Sequence, residues 1–567
     1  MNDFKKKGIY FLPLGGADEI GMNMFVYAAN GKLIVVDAGY GFLNDFPGMD
    51  MCYASPEFLE NYRDDILGLF ITHGHEDHLG AIAQIWPALQ CPVYGTDFSL
   101  GLVKERLSEY KLQDIVPLVS VNKEPVVKLD GFEVEFIPIA HSIPETSALF
   151  IKTPYGNIMH ATDWRFDDNK LSMVKTDFAS LKRAASEGVD IFVCDSTNVM
   201  VDEPQASEEE VRQNLIKIIP EMQGGIVATC FASNIMRLES LMLAARAAGR
   251  TPVLAGRSLV TNVKIARQCG YLTEYPEIHT IDEVEGITSD KALYICTGSQ
   301  ANYRSAMTLI ANDESKHIKL CAEDNVIFSS KIIPGNEDKI ERLQEKILAK
   351  GVNLVTEEDY LVHTSGHACK KDLQAMYELL NPKIVLPVHG DKKFIREHKR
   401  FAKSCGVEDV FSAQNGDVCL YQNGKIEMVE QVPAEVMGVD RGRSVSLGSE
   451  LIKNRRRIMY NCTLFISAVI SRDYELKSLQ FDSIDILEAN EWYVLHEEIM
   501  QKVRPLIERR LAEHPHRNAA EDYIRGQIRR RVFNATDIKP VTMLQVHWEE
   551  DEDNEGDDKE VYSVTVF

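Results

Sequence analysis

The chain has 567 residues, 45% apolar and 26% charged, which excludes wholesale disorder and exceeds what a single hydrophobic core supports. Its net charge is −24, from 62 Lys and Arg against 86 Asp and Glu, and residues 549–560, with nine acids and one lysine, carry −8 of it. The remainder is spread thinly, so the sum leaves room for a basic groove that takes a polyanion. No window approaches the ~18 uninterrupted apolar residues of a membrane span, and the N-terminal stretch lacks the apolar segment of a secretion signal. The 11 cysteines are scattered singly without Cys-x-x-Cys pairs, which excludes a disulfide scaffold and a Cys-type zinc finger. The expectation is a cytoplasmic protein with no membrane partner.

In chain order, residues 1–205 alternate short β-rich runs with turns. GKLIVVDAG (31–39), DILGLFITHGH (65–75), FEVEFIPIAHS (132–142), GNIMHATDW (156–164) and VDIFVCDST (189–197) each end an apolar run at a metal-competent or catalytic residue type. Strands that deliver such residues at their ends predict a layered α/β domain with its site along a sheet edge. From about 206 the rhythm changes. SEEEVRQNLIKIIPEM (207–222) has the Ser-x-x-Glu start of a capped helix, and strand-plus-loop units alternating with helices predict a second α/β unit with a parallel sheet over 206–360. DYLVHTSGHA (359–368) and PKIVLPVHGD (382–391) return to strand-then-histidine, so residues 361–430 are read as re-entering the first domain and 206–360 as an insertion. Residues 431–455 show no clear period and read as a linker. In 456–548 the faces Leu495, Ile499, Val503, Ile507, Leu511 and Ala520, Ile524, Ile528, Val532 predict two helices of a small α/β domain, with Pro505 marking a kink or a later helix start. Residues 549–567 form an acidic tail, whose block at 549–560 reads as a solvated segment.

The strongest chemical signal is His73-Gly74-His75-Glu76-Asp77-His78, three imidazoles and an acidic pair directly after a strand, a donor set suited to zinc. One loop cannot fill two metal positions, so further ligands come from strand ends: His141, Asp163 and His389, with His363 and His367 more distant candidates. The assignment is His73, His75 and His141 to one ion and Asp77, His78 and His389 to the other, with Asp163 bridging. Two ions ~3.5–4 Å apart can activate one water and clamp the oxygens of an in-line phosphoryl displacement.

With these residues in place, the chain resembles the ribonuclease J family of β-CASP, metallo-β-lactamase-fold hydrolases. LPLGGADEIGMN (12–23), Asp37, THGHEDHLGAI (72–82), HSIPE (141–145), CDSTNV (194–199), FASNIMR (231–237), TGSQ (297–300), VIFSSKIIPGNE (326–337), HTSGHA (363–368) and PVHGD (387–391) follow the family's order. The resemblance runs from about residue 8 to 430 and more weakly to 548. It implies an α/β protein: a metallo-β-lactamase αββα sandwich (1–205 and 361–430), an inserted β-CASP domain (206–360) and a small C-terminal α/β domain (456–548). It further implies a zinc-dependent ribonuclease with two zinc ions per chain, acting 5′-to-3′ on 5′-monophosphorylated RNA with some endonuclease activity, in RNA maturation and decay.

Residue by residue, the resemblance makes Asp77, Asp195 and His367 catalytic, His367 as proton donor to the leaving oxygen and Asp195 as its support. Ser233, Asn234, His363, Thr364, Ser365, Gly366 and His367 would bind substrate, most of them as a pocket for a nucleotide phosphate. Asp50 and Asp440 resemble an accessory calcium position of the family, with ordinary surface carboxylates as the other reading, and the C-terminal domain would form a homodimer or homotetramer. The chain departs from the family at Thr162, where Gly is usual, and at Ala301-Asn302-Tyr303, where Gly-Glu-Pro is common. Two other readings are a small-molecule hydrolase of the same fold, which would lack the ~150-residue insertion, and a non-catalytic RNA-binding subunit with a vestigial metal site.

Overall fold

The computed structural model describes residues 4–43, 46, 48–167, 175–275, 278–284, 288–333 and 335–549, together with the strand Tyr562–Val566. It divides into two compact units, Met1–Asn44 with Asp50–Ser444, and Asp45–Met49 with Val445–Phe567.

In the larger unit two mixed sheets pack face to face. One has eight strands, in the order Lys425–Gln431, Asp417–Gln422, Ile9–Gly15, Met24–Ala29, Lys32–Val36, Ile66–Phe70, Val93–Gly95 and Leu118–Ser120. The other has seven, in the order Asp409–Val410, Ile384–Val388, Ile191–Asp195, Gly156–Ala161, Ser147–Thr153, Phe132–Pro138 and Val126–Leu129. Side chains alternate across each strand, so successive residues of a strand buried on both faces enter different cores. Ile9, Phe11, Phe25 and Tyr27 of one sheet meet Val134, Ile158, Val193 and Leu386 of the other in a shared core. The alternate residues Tyr10, Leu12, Met24 and Val26 pack outward with Ile82, Ile85 and Val103 from two helices. On the opposite outer face Phe192 and Met159 pack with Leu181, Leu373, Met376 and Ala402 from three more. Helices on both outer faces and sheets in the middle make an αββα sandwich.

The strand Ile384–Val388 pairs in parallel with Ile191–Asp195, although nearly two hundred residues separate them in sequence. The intervening chain builds its own six-stranded sheet, in the order His279–Thr280, Thr251–Ala255, Ala292–Cys296, Ile226–Thr229, Asn325–Phe328 and Asn353–Val355, with every pair parallel. Helices cover both faces, as parallel crossovers require. Ser207 caps the first of them through a reciprocal box with Glu210. Ala301 sits in the left-handed region at φ 53°, a conformation that costs a non-glycine residue ~1–2 kcal/mol. The turn nevertheless persists, because the Gln300 side chain donates to Lys331 O and accepts from Ile333 N.

Residues 431–455, expected as a linker, contain the strands Val436–Asp440 and Arg443–Ser446 and the start of the helix Glu450–Asn461. Val436–Asp440 pairs with Met51–Ala54, a long-range partner that a short, irregularly patterned segment does not advertise.

In the smaller unit the strands run Leu476–Ile484, Thr463–Ile470, Val541–Trp548 and Tyr562–Val566. Ile499, Val503, Ile507 and Leu511 from the helix Ala489–Glu513, and Ala520, Ile524, Ile528 and Val532 from Arg517–Thr536, form its core with Leu464, Ile466 and Val546. The first helix runs unbroken through Pro505, so the proline neither ends nor delays it; the buried face offsets the missing backbone donor. Tyr562–Val566 is a strand within the segment read as a tail, while residues 550–561 lie outside the described residues. Among the described residues no helix is long and apolar enough to cross a membrane.

Candidate metal centre

Strand ends converge on one edge of the sandwich. Thr72 and His73 follow Ile66–Phe70, Asp37 follows Lys32–Val36, and Asp163 lies two residues past Gly156–Ala161. Asp195 is the last residue of its strand, and His389 immediately follows Ile384–Val388. Asp37 and His389 both adopt left-handed backbone, at φ 63° and 53°. Such strain persists only where the surroundings fix it, and it gathers at functional sites.

The proposed ligands fall into two groups that share Asp163: His73, His75, His141 and Asp163, and Asp77, His78, Asp163 and His389. In the first, His73 Nε2 and His141 Nε2 stand 3.1 and 3.0 Å from His75 Nδ1. Asp163 Oδ2 lies 3.4 Å from His141 Nε2 and 3.8 Å from His73 Nε2. Burial drives His141 down to about 3, His75 to about 4 and His73 well below the usual range, so all three rings are neutral near pH 7. His141 Nδ1 donates to Gly366 O at 2.7 Å, which leaves its Nε2 as a lone pair aimed at the other two nitrogens. Neutral imidazoles whose ring nitrogens crowd one point fit a borderline divalent cation.

In the second group Asp77 Oδ2 lies 3.1 Å from His389 Nε2, and Asp163 Oδ1 lies 3.0 Å from His78 Nε2. Asp163 Oδ1 is buried yet makes no well-formed hydrogen bond. Burial opposes the charge on His389, but Asp163, Asp195 and Asp77 outweigh it and push the ring up to about 10. Burial alone would raise Asp163, but His389 and His78 hold it well below the carboxylate range. This surplus of carboxylate is one that a cation neutralises as readily as protons do, so both groups fit metal ions. Asp37 Oδ2 fixes His78 through Nδ1 at 2.7 Å and is itself held by Thr72 N at 2.9 Å, a carboxylate–histidine support for a ligand.

His367 flanks both groups. Its Nδ1 meets Asp195 Oδ2 at 2.8 Å, and Asp195 Oδ1 accepts from Thr197 N at 2.8 Å. Burial would lower the His367 pKa, but Asp195 more than compensates and raises it.

The residues expected to read a phosphate are more entangled. Ser365 Oγ accepts from Asn198 Nδ2 at 2.9 Å and from His367 N at 3.3 Å, so it also holds the His367 loop. Thr364 Oγ1 accepts from Arg165 Nη1 at 2.7 Å and donates to Ala206 O. Asn234 caps the helix Ile235–Ala247 by accepting from Arg237 N at 2.9 Å. Ser233 beside it is half-buried. His363 Nε2 is buried without a partner. Gly366 has a specific reason to lack a side chain: a Cβ there would lie 2.7 Å from His141 Cε1 and Nδ1. Gly366→Ala is therefore expected to displace a ligand without touching the metal, weakening metal affinity or activity roughly 10–100-fold, as measured by metal titration.

Four participants were not singled out from the sequence, although Asn23, Thr197 and Asn198 lie within the motifs LPLGGADEIGMN and CDSTNV. Arg165 is buried and ties Thr364, Ser365 O at 2.7 Å and Ala206 O to the strand end that carries Asp163. Asn198 clamps the His367 loop, Thr197 stands 3.1 Å from His389 Nδ1, and buried Asn23 donates to Asp77 O at 3.1 Å. Asp50 and Asp440, by contrast, join no convergent ligand group among the described residues.

Comparison with known proteins agrees with this geometry. Residues 18–207 match the metallo-beta-lactamase superfamily, 223–347 the ribonuclease J beta-CASP domain, and 351–411 the Zn-dependent metallo-hydrolase RNA specificity domain. The fold and its site thus define a metal-dependent hydrolase of the metallo-β-lactamase superfamily. Ribonuclease J of Sinorhizobium meliloti is 34% identical over 82% of this chain and 84% of its own length. That of Helicobacter pylori strain B128 is 31% identical over 96% and 80%, and that of Mycobacterium tuberculosis H37Rv 34% over 82% and 84%. The chain belongs to the ribonuclease J family, and it is a metal-dependent ribonuclease that acts on RNA. An Enterococcus faecalis protein of unknown function shares the fold at 16% identity, with a TM-score of 0.51 over 73% of this chain and all of its own.

Proposed function

We propose that the enzyme is a two-zinc ribonuclease that removes nucleotides 5′-to-3′ from 5′-monophosphorylated RNA and also cuts internally, in RNA maturation and decay. The observation that carries this reading is the pair of convergent donor groups sharing Asp163, with the Asp195–His367 pair beside them. Zinc at these positions would supply an activated water and charge stabilisation for phosphoryl displacement. The chain's own residues do the rest. Asp77 completes the second ligand group, and Asp37 and Gly366 O orient the imidazoles of His78 and His141. Asp195 raises the His367 pKa and turns the ring so that its Nε2 can deliver a proton to the leaving oxygen.

Ser233, Asn234, His363, Thr364, Ser365 and Gly366 are assigned to the terminal phosphate. Among the described residues Ser365 Oγ only accepts, which leaves its own proton to donate, and His363 Nε2, without a partner there, is a further polar atom available to a phosphate. We assign self-association, as a dimer or tetramer, to the C-terminal unit. The cysteines, all free thiols, suit a reducing cytoplasm.

The test is end-labelled RNA bearing a 5′-monophosphate, 5′-triphosphate or 5′-hydroxyl, incubated with the zinc-loaded protein. Mononucleotides released fastest from the monophosphorylated substrate are the expected result. Equal rates on all three would remove the phosphate pocket from the reading.

A further inference from the structure

The helix Lys392–Ser404 leaves the metal centre directly, beginning three residues after His389. That places Lys392 within ~11 Å of the ligand along the chain. Its sequence, KKFIREHKRFAKS, holds six Lys and Arg against one Glu, a net +5 in a chain of −24. One face is core: Ile395, His398 and Ala402 are buried, and His398 Nδ1 bonds Ser196 Oγ at 2.8 Å next to Asp195. The Asp391 side chain caps the helix, accepting from Lys393 N and Phe394 N at 2.8 and 3.0 Å.

The other face is cationic throughout. Lys393, Arg396, Arg400 and Lys403 are exposed at successive spacings of three, four and three, which places them in one stripe. Ten residues of helix make that stripe ~15 Å long. An ordinary solvated helix mixes signs along its exposed face, as Glu337–Leu348 does with its four acids and three bases. Here the lone acid, Glu397, has a side chain only 16% exposed and turns to Lys370 and Arg400. Lys392 reaches Asp18 only at 4.0 Å and Lys403 reaches Asp409 at 3.9 Å. Among the described residues, Lys393 and Arg396 have no carboxylate at ion-pair distance. Four like charges at helical spacing repel one another, so a stripe in which Lys393 and Arg396 lack a carboxylate partner raises the cost of folding unless a polyanion neutralises it.

We propose that this stripe is a track for the phosphates of single-stranded RNA, carrying the strand past the metal centre beyond the nucleotides being cleaved. The proposal rests on the ribonuclease reading and assigns it a surface. Arginine and lysine on an exposed helix bind phosphate oxygens without reading bases, so the track adds affinity for length and not for sequence.

The test compares wild-type protein with a Lys393→Gln, Arg396→Gln, Arg400→Gln variant, using binding and cleavage of a 20-nucleotide RNA and of a trinucleotide across a salt series. Each lost phosphate contact flattens the plot of log affinity against log salt by ~0.7, so three flatten it by ~2, or about 100-fold weaker binding at 0.1 M salt. Trinucleotide cleavage and metal content should match the wild type. An unchanged salt slope would overturn the track, as would equal losses on long and short substrates. Should the triple variant fold poorly, Arg396→Gln alone should flatten the slope by ~0.7. A wild-type protein that cleaves neither RNA would sink the ribonuclease reading itself; cleavage with an unaltered variant slope sinks only the track.

Discussion

Replacing Asp163 by asparagine is expected to abolish metal binding at both positions and to lower RNA cleavage about a thousand-fold or more, on the basis of ~4 kcal/mol of transition-state stabilisation by the bound ions. Asp163 is the one residue common to both ligand groups: Oδ2 serves the histidines of the first and Oδ1 faces His78 of the second. Asparagine keeps the shape but removes the charge that sits among five imidazoles. His75→Ala removes a ligand from the first group alone and should leave about one ion per chain. Elemental analysis of the purified variants decides between them. Two ions retained in Asp163→Asn would show that the carboxylate does not bridge. A melting curve alongside shows whether the fold survived, since the substitution also leaves buried His78 and His389 with less compensating charge.

For His367→Ala the expected result is the opposite pairing: metal content unchanged, turnover down by roughly 10²–10⁴-fold, the range for removing a general acid. His367 lies outside the two groups that share Asp163, although it forms a third convergent set with Asp195 and His389, and its Nδ1 is spent on Asp195. RNA affinity should move little, so the loss should appear in kcat. Asp195→Asn should cause a smaller loss of the same kind, because it loosens His367 and removes the charge that raises its pKa without removing the ring. A fluorogenic RNA with a leaving group that needs no proton provides the control. If His367→Ala is as slow on that substrate as on ordinary RNA, the histidine is holding the phosphate and not delivering a proton.

Much of the architecture is legible in the sequence because it is written in local periods. Apolar runs such as GKLIVVDAG (31–39) and VDIFVCDST (189–197) mark strands of the sandwich, and the four-residue repeats at 499–511 and 520–532 mark the core of the smaller unit. The candidate ligands were legible for a related reason: metal-competent residues stand at the ends of apolar runs, and HGHEDH concentrates four of them, His73, His75, Asp77 and His78, in one loop.

What the sequence by itself determined, then, is which residues offer donor atoms and which strands carry them. The tertiary structure decided how those atoms point. Nothing near His141 in sequence says that Gly366 O will fix its Nδ1, nor that Gly366 must lack a Cβ for the two to meet. The partnership of Ser365 with Asn198, the clamp of Arg165 on the same loop and the strand at 436–440 against 51–54 are equally distant pairings. Such contacts have no period, because they join segments that lie far apart along the chain. A helical or strand repeat is set by the backbone geometry of neighbouring residues and so leaves a local mark. A hydrogen bond across two hundred residues is set by where whole strands end, and it leaves none.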